Sequence, residues 1–456
     1  MVLAVKFGWN RWQTVPQLFA ILFFMLAITV YDAAGPSMSR AADNDGSSTL
    51  TLPEGLRIVT DNNYVIKIAS RNEDISYNDV LIAKSKFLPS VNALINQTFQ
   101  AYQPGVVFQS LNVYESDKNF LSYGVNVQQT IYDFGAISSL YDASKTALDA
   151  TRLDIRRTKN LVALDFINSY VELLETEKII IVSMKEVESL QSHLKLAQAL
   201  YQEGAITKND LLQADVKLSD GRQRLVIAKN RRALSASRLN TILTRPIKEE
   251  VRVADLSNDL PPMISLESAW QNAETQRLEL QIIDHQLTIN DLEETAKKSE
   301  YYPTIFAQAG YNYTENHYIT HEDNWTLLLG LNVNLFSGGS TKAEVTKARY
   351  RREQLIEQRK KIADDIKFEV EKYYRDMEDA RERILTTQDA ISQAEENLRI
   401  DKTRYQEGVG TATELLDAIT LLSTAQTNYY RALYDFWRAH AGLLYAMGLD
   451  LSSQYL

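Results

Sequence analysis

The placement of proline and glycine constrains the fold of this chain more than any other feature of its sequence. All nine prolines lie outside two tracts, 105–245 and 304–456, and no glycine occurs within 136–203 or 340–407. Such tracts, rich in Ala, Leu, Glu, Lys, Gln and Arg, favour uninterrupted helices. At 1.5 Å per residue, a helix through either glycine-free stretch would be roughly 100 Å long. The sequence therefore predicts two very long helices.

A 4-3 spacing of apolar and small residues runs along both predicted helices. In the second it passes from Ile366 through Met377 to Tyr405, and in the first from Phe166 to Tyr201. This spacing is typical of a coiled-coil seam. We therefore expect each long helix to pack against neighbouring helices along its length, up to and including the two tyrosines.

The end of the first seam is repeated at the end of the second. Residues 201–214 read YQEGAITKNDLLQA and residues 405–418 read YQEGVGTATELLDA, with eight of fourteen positions identical. Repeated segments of this kind indicate a duplicated architecture. We predict four parts: a signal peptide (1–41), a first repeat (42–246), a linker (247–263) and a second repeat (264–456).

Each repeat is predicted to hold a helix, a β-hairpin and a long helical hairpin, in that order. The β-hairpins are expected at about 88–132 and 303–336, where apolar and polar residues alternate. The helical hairpins are expected at about 136–245 and 340–448. The repeated YQEG segments are then the tips of the two helical hairpins.

The tip segments combine a helix stop with a helix start. Gly204 and Gly408 can adopt the left-handed conformation that ends a helix, and Gly410 follows in the second tip. A threonine with an acid three residues later then matches the spacing of a capping box. The residues concerned are Thr207 with Asp210 and Thr411 with Glu414.

The N-terminal segment resembles an export signal. An apolar run from Leu18 to Val30 follows Lys6 and Arg11, and it is shorter than the ~20 residues that span a bilayer. We predict a cleavable signal that is cut after Ala41; the alternative is an uncleaved anchor. The chain contains no cysteine, which excludes disulfides, thiolate sites and a lipid-attachment cysteine.

Neither a nucleic-acid partner nor an enzyme is indicated. The formal net charge of −10 is opposite to the basic surface that a nucleic acid requires. The triplet at 133–135 spells the kinase DFG motif, but the other kinase motifs do not accompany it. We predict no catalytic residue and no cofactor. We also predict no metal site. The alternative is a site formed by His317 and His321, which share a polar loop.

The four predicted strands cannot form a closed structure alone. Ten-residue segments with one apolar face are typical of transmembrane β-strands, although a soluble two-layer sheet would alternate in the same way. The exported, helix-rich context favours the membrane. An open sheet edge cannot lie in lipid, and the smallest known membrane barrels have about eight strands. Copies of the chain must therefore pool their strands, and three copies would supply twelve.

This order of parts resembles the TolC family of outer-membrane efflux and type I secretion channels. The junctions YDFG (132–135) and FSGG (336–339), together with the two tip segments, carry the resemblance. It implies a mainly helical homotrimer with a twelve-stranded β-barrel in the outer-membrane lipid and a helical tunnel across the periplasm. It also implies a passive exit duct that works with a periplasmic adaptor (membrane fusion) protein and an inner-membrane transporter, and that carries drugs, metal ions or secreted proteins.

The alternative function is a non-channel periplasmic coiled-coil adaptor or scaffold. An adaptor should contain one helical hairpin inserted within β-domains, whereas here two helical hairpins are predicted, each after a membrane-type β-hairpin. This difference favours the channel.

The resemblance also implies a constriction at the periplasmic tips. The residues that it places there are Asp210, Gln213, Tyr405, Glu414 and Asp417. Three of them have a simpler interpretation: Glu414 is a helix cap, Asp417 a solvated surface acid, and Tyr405 the last residue of the seam. An arginine that locks the closed tip in related channels is replaced here by Gly410, so that latch is not expected.

Overall fold

Long helices make up most of the protein, as the proline-free tracts predict. The computed structural model describes residues 49–257 and 259–455, and the predicted signal peptide at 1–41 lies outside them. In chain order the elements are α1 (Leu52–Asn62), α2 (Tyr64–Ser85), β1 (Ser90–Phe99), β2 (Gly105–Phe108), β3 (Leu111–Tyr114), β4 (Asn119–Tyr132), α3 (Ala136–Gln202), α4 (Lys208–Ile242), α5 (Leu266–Gln276), α6 (Leu278–Ser299), β5 (Thr304–Thr314), β6 (Asp323–Asn332), α7 (Ser340–Gln406), α8 (Ala412–Ala446) and α9 (Leu451–Tyr455).

Two helical hairpins of equal size form the body of the protein. Helices α3 and α7 each have 67 residues, and α4 and α8 each have 35. Every residue of the predicted seam on α7 is buried or half-buried. On α3 the same holds except at Tyr201, where the prediction is wrong: its side chain is 41% exposed, whereas Tyr405 is 3% exposed. The two tips are therefore not equivalent.

The single helix predicted before the β-hairpin of each repeat is in fact a pair of helices. One residue in extended conformation separates the two helices of each pair: Asn63 between α1 and α2, and Arg277 between α5 and α6. Both side chains donate hydrogen bonds to carbonyl oxygens near the end of the second helix of a helical hairpin, α4 or α8. Asn63 binds Ile242 at 2.9 Å, and Arg277 binds Tyr445 at 3.3 Å. These contacts anchor each short helix pair to the hairpin of its own repeat.

The four long strands form one antiparallel sheet in the order β1-β4-β5-β6. The pair β4–β5 joins the two repeats, with Val125 opposite Tyr311. Strands β1 and β6 lie at the two edges. In β6 the apolar side chains of Trp325, Leu327 and Leu329 are 75–86% exposed. The sheet therefore presents an apolar face and two unpaired edges.

Two features of the sheet differ from the sequence-based expectation. The alternating pattern predicts a last strand to Leu335, but β6 ends at Asn332, because its partner β5 begins opposite this residue at Thr304. A second small hairpin, β2–β3, lies in the β1–β4 connection. It turns at Gln109 and Ser110, which have positive φ angles of 44° and 71°. Neither residue is the asparagine, aspartate or glycine that usually occupies such positions in a two-residue hairpin turn, so this hairpin was not predicted.

Three apolar clusters stabilise the helical layer. The first joins α1 to α3, where Gly55 lies so close to the buried ring of Phe166 that a Cβ atom would be 2.2 Å from it. The second joins α5 to α7 and α8 around Phe436. The third, here called the tip cluster, fills the space between the two hairpins near their tips. Its buried members are Val187, Leu190, Leu218, Tyr405, Ala412, Leu415, Leu416 and Ile419.

Throughout 49–257 and 259–455, the helices lack any segment with the length and apolar character needed to cross a bilayer.

Candidate functional site: the helical tips

Both tips have the capped turn that their sequences predict. Gly204 and Gly408 have left-handed φ angles of 74° and 76°. The amide N–H of Ala205 donates to Leu200 O at 2.9 Å, and that of Val409 donates to Arg404 O at the same distance. These bonds satisfy carbonyl groups that the helix end would otherwise leave free. Each tip therefore reverses the chain through a hydrogen-bonded turn.

Two of the predicted gate acids act as helix caps. The carboxylate of Asp210 accepts from Thr207 N at 3.1 Å, and Thr207 Oγ1 accepts from Asp210 N at 3.3 Å. In the second tip the carboxylate of Glu414 accepts from Thr411 N at 2.9 Å, and Thr411 Oγ1 accepts from Glu414 N at 3.2 Å. The hydrogen bond from the Thr411 backbone lowers the pKa of Glu414. Both carboxylates are thus held at the first turn of their helices.

The position of the absent latch arginine leaves little space for a side chain. The N–H of Gly410 donates to Arg404 O at 3.0 Å, and a Cβ atom at Gly410 would lie 3.0 Å from Tyr405 N. The guanidinium group of Arg404 lies near this turn instead, 3.4 Å from Asp401 and 3.8 Å from Glu414. Sequence reasoning missed Arg404, whose only signal is a basic residue in the last turn of α7.

Tyr405 lies inside the tip cluster rather than at its edge. Its ring makes an edge contact with the ring of His193 from α3, with centroids 5.0 Å apart and an interplanar angle of 60°. Burial and the nearby carboxylate of Asp210 both raise the pKa of the Tyr405 hydroxyl. The contact joins the second hairpin to the first. The sequence did not single out His193 as a functional residue, because no residues at a characteristic spacing accompany it.

Asp417 and Gln213 lie on a shallow groove between the starts of α4 and α8. The groove has a volume of about 350 Å³, and Leu212, Val216 and Thr413 also line it. Thr413 Oγ1 lies 3.5 Å from Gln213 Oε1. The Asp417 side chain is exposed and has no ion-pair partner within the described part of the chain. Of the five predicted gate residues, Asp417 is thus the acid that neither caps a helix nor lies beside Tyr405.

His317, in the loop that connects β5 to β6, contacts a carboxylate of the other β-hairpin. His317 uses its backbone N–H and ring Nδ1 to contact Asp117 Oδ2, at 2.9 and 2.8 Å. The bond with Asp117 raises the pKa of His317, and the bonds from His317 lower the pKa of Asp117. Within the described ranges, no three His, Asp or Glu side chains converge as metal ligands would. The loops of the two β-hairpins are therefore joined by the contact between His317 and Asp117.

Comparison with known proteins places this architecture. The chain is 20% identical over 419 residues to nodulation protein T of Rhizobium leguminosarum, covering 89% of this chain and 86% of that protein. It is 21% identical over 350 residues to the alkaline protease secretion protein AprF of Pseudomonas aeruginosa, covering 74% and 72%. The outer membrane protein VceC of Vibrio cholerae has a similar fold, with a TM-score of 0.75, 15% identity and coverage of 88% and 96%.

The agreement extends over most of the sequence. A sequence model of the outer membrane efflux proteins matches residues 61–245 and 269–449, which include both helical hairpins. The mainly helical fold with some sheet, predicted from the sequence, agrees with the channel structures. The chain therefore belongs to the outer membrane efflux protein family.

Proposed function

We propose that three copies of the chain form one continuous duct, with a twelve-stranded barrel in the outer membrane and a helical tunnel that closes at the periplasmic tips. The chain is an outer-membrane exit duct for efflux or type I secretion, as its family indicates. The trimer, the closed barrel and the gate are the parts that we add to this conclusion. A periplasmic adaptor and an inner-membrane transporter are the proposed partners.

The unpaired edges of the sheet are the observation that best supports assembly. Strands β1 and β6 each have one side that pairs with no other strand of the described residues, and their exposed apolar side chains suit lipid. Unpaired backbone groups in hydrocarbon are so unfavourable that open sheets do not occur there. Pairing β6 of one copy with β1 of the next removes both edges, and the TolC-type resemblance supports three copies.

The helical layer supports the same arrangement. Helix α3 packs against α4 and α8, and α8 packs against α3 and α7. Helices α4 and α7 therefore form the two sides of the layer, in the same way that β1 and β6 form the edges of the sheet. Exposed apolar residues on α4, including Val216, Val226 and Leu234, are available to a neighbouring copy. An assembly that closes the barrel would also close the tunnel.

Transport through the proposed duct is passive. Asp210 and Glu414 cap their helices, and Tyr405 packs within the tip cluster. Energy would come from the inner-membrane transporter. The adaptor alternative does not fit the family to which the chain belongs.

Electrical recording tests this proposal directly. The purified protein, added to a planar lipid bilayer, is expected to produce discrete conductance steps, and its native mass is expected to equal three chains. A protein that is trimeric but never conducts would contradict the duct. A protein that conducts as some other oligomer would contradict only the proposed number of copies.

Asp417→Ala is expected to weaken block of the current by multivalent cations added on the tip side by roughly three- to tenfold. The change removes one exposed carboxylate per copy, and closely spaced carboxylates attract cations at a narrow passage. The concentration of cation that halves the current measures the effect. As a matched change, Gln213→Asp adds a carboxylate in the same groove and should strengthen block. Unchanged block in both variants would assign Asp417 to the solvated surface.

A further inference from the structure

A buried histidine lies where the two hairpins meet near their tips. His193 of α3 is 3% exposed and packs against Tyr405 of α7, which is equally buried. Both ring nitrogens of His193 and the hydroxyl of Tyr405 lack a hydrogen-bond partner in the protein as described. Unpartnered buried polar groups are rare in proteins, and each calls for an explanation. This contact has no role in the mechanism set out above.

The surroundings of His193 are apolar, and the charged groups nearby serve other partners. The tip cluster supplies leucine, valine and isoleucine side chains from α3, α4 and α8. Asp210, at the start of α4, caps its helix and acts on Tyr405. From α7 and α8, Asp401 and Glu414 pair with Arg404. None of these groups forms a hydrogen bond with the imidazole.

Burial without a charged partner has a clear consequence for titration. A buried imidazole resists protonation because the charged form loses its hydration. Burial accordingly lowers the pKa of His193 below its ordinary value of 6.5. In a state where α3 and α7 have separated, the same ring is hydrated and titrates near 6.5. The two states of the tip therefore take up protons at different pH values.

We propose that His193 makes the closed tip sensitive to the pH of the periplasm, so that proton uptake on its imidazole separates α3 from Tyr405 and loosens the gate. This inference rests on the proposed gate and names a regulator for it. Well above pH 6.5 the imidazole is neutral in both states, so pH has little effect there. As the pH falls below that value, the separated state binds a proton and the closed state does not. Acidification therefore favours opening.

Hydrogen exchange of the full-length protein tests the proposal without requiring conduction. Amide exchange in peptides covering 187–202 and 399–411 is measured between pH 7.5 and 5.5, after correction for the intrinsic pH dependence of exchange. In the unmodified protein, tip opening is expected to increase by up to about tenfold per pH unit below 6.5 for each proton linked to opening. In His193→Phe, which keeps an aromatic ring but cannot take up a proton, opening should not change with pH.

Two further variants separate titration from packing. His193→Gln keeps a polar side chain that does not titrate, and it should be as insensitive to pH as His193→Phe. His285→Gln removes a histidine of α6, far along the sequence from the tips, and should keep the full pH response. An equal pH response in the unmodified protein and in both His193 variants would overturn the proposal.

Bilayer recording with acid added on the tip side provides an independent measurement. The current is expected to rise on acidification in the unmodified protein and to stay constant in His193→Phe. If the protein never conducts but its hydrogen exchange depends on pH and on His193, the result would contradict the duct and support the pH sensitivity of the tip. Conduction together with pH-independent exchange would contradict the switch alone.

Discussion

Tyr405→Ala is expected to raise the current through the channel at least tenfold at neutral pH. The side chain is 3% exposed and joins the two hairpins through His193. Removing a buried aromatic side chain typically destabilises its surroundings by about 3–5 kcal/mol. In the proposed gate this packing belongs to the closed tip, so most of that loss should shift the equilibrium towards the open tip. Current at a fixed voltage in planar bilayers measures it.

The repeated sequence supplies a matched control for this prediction. Tyr201 occupies the same position in the first YQEG segment but is 41% exposed, so Tyr201→Ala should leave the current close to that of the unmodified protein. Tyr405→Phe should also conduct normally, because the hydroxyl has no partner within the described residues. If Tyr405→Phe conducted as freely as Tyr405→Ala, the hydroxyl rather than the packing would hold the tip closed.

The second large effect is expected from Arg277→Met, which should lower the free energy of unfolding by about 3–5 kcal/mol. The Arg277 side chain is 7% exposed and lies 3.0 Å from Glu279 and 2.9 Å from Glu369. Its guanidinium also lies over the ring of Tyr445, 4.9 Å from the centroid. The substitution would leave two partly buried carboxylates without their cation. Unfolding of the purified protein, followed by circular dichroism, measures the loss.

An exposed pair with similar geometry provides the comparison. Arg399 binds Glu396 through two nitrogen atoms, at 2.7 and 2.6 Å, but the two side chains are 68% and 55% exposed. Exposed pairs of this kind contribute about 0–1 kcal/mol, so Arg399→Met should change stability little. Similar losses in Arg277→Met and Arg399→Met would show that burial does not determine the strength of the Arg277 cluster.

Local patterns in the sequence predicted the parts of the fold that depend on local interactions. The capping boxes at Thr207 and Thr411 are present because their partners lie three residues away. The seam on α7 is buried as its spacing indicates. The left-handed glycines at 204 and 408 end their helices. In each case the residues that decide the structure are neighbours in the chain.

The features that were not predicted depend on contacts between distant segments. Tyr201 and Tyr405 occupy the same position in the two tip segments, yet only Tyr405 is buried, in the tip cluster and against His193 of the other hairpin. His193 lies eight residues before Tyr201. The residue eight positions before Tyr405 is Asn397, which is exposed. The break at Arg277 likewise depends on Glu369 and Tyr445, both far along the chain. A pattern within one segment cannot reveal which side chain of another segment will reach it.

The length of the strands has a consequence for where the protein can reside. Strands β1 and β6 each have 10 residues. At about 3.4 Å per residue and a barrel tilt of about 40°, they would cover a hydrophobic thickness of about 25 Å. A typical bilayer has a hydrocarbon core of about 30 Å, and the bacterial outer membrane is thinner than average. Hydrophobic mismatch alone would therefore disfavour this barrel in a thicker membrane.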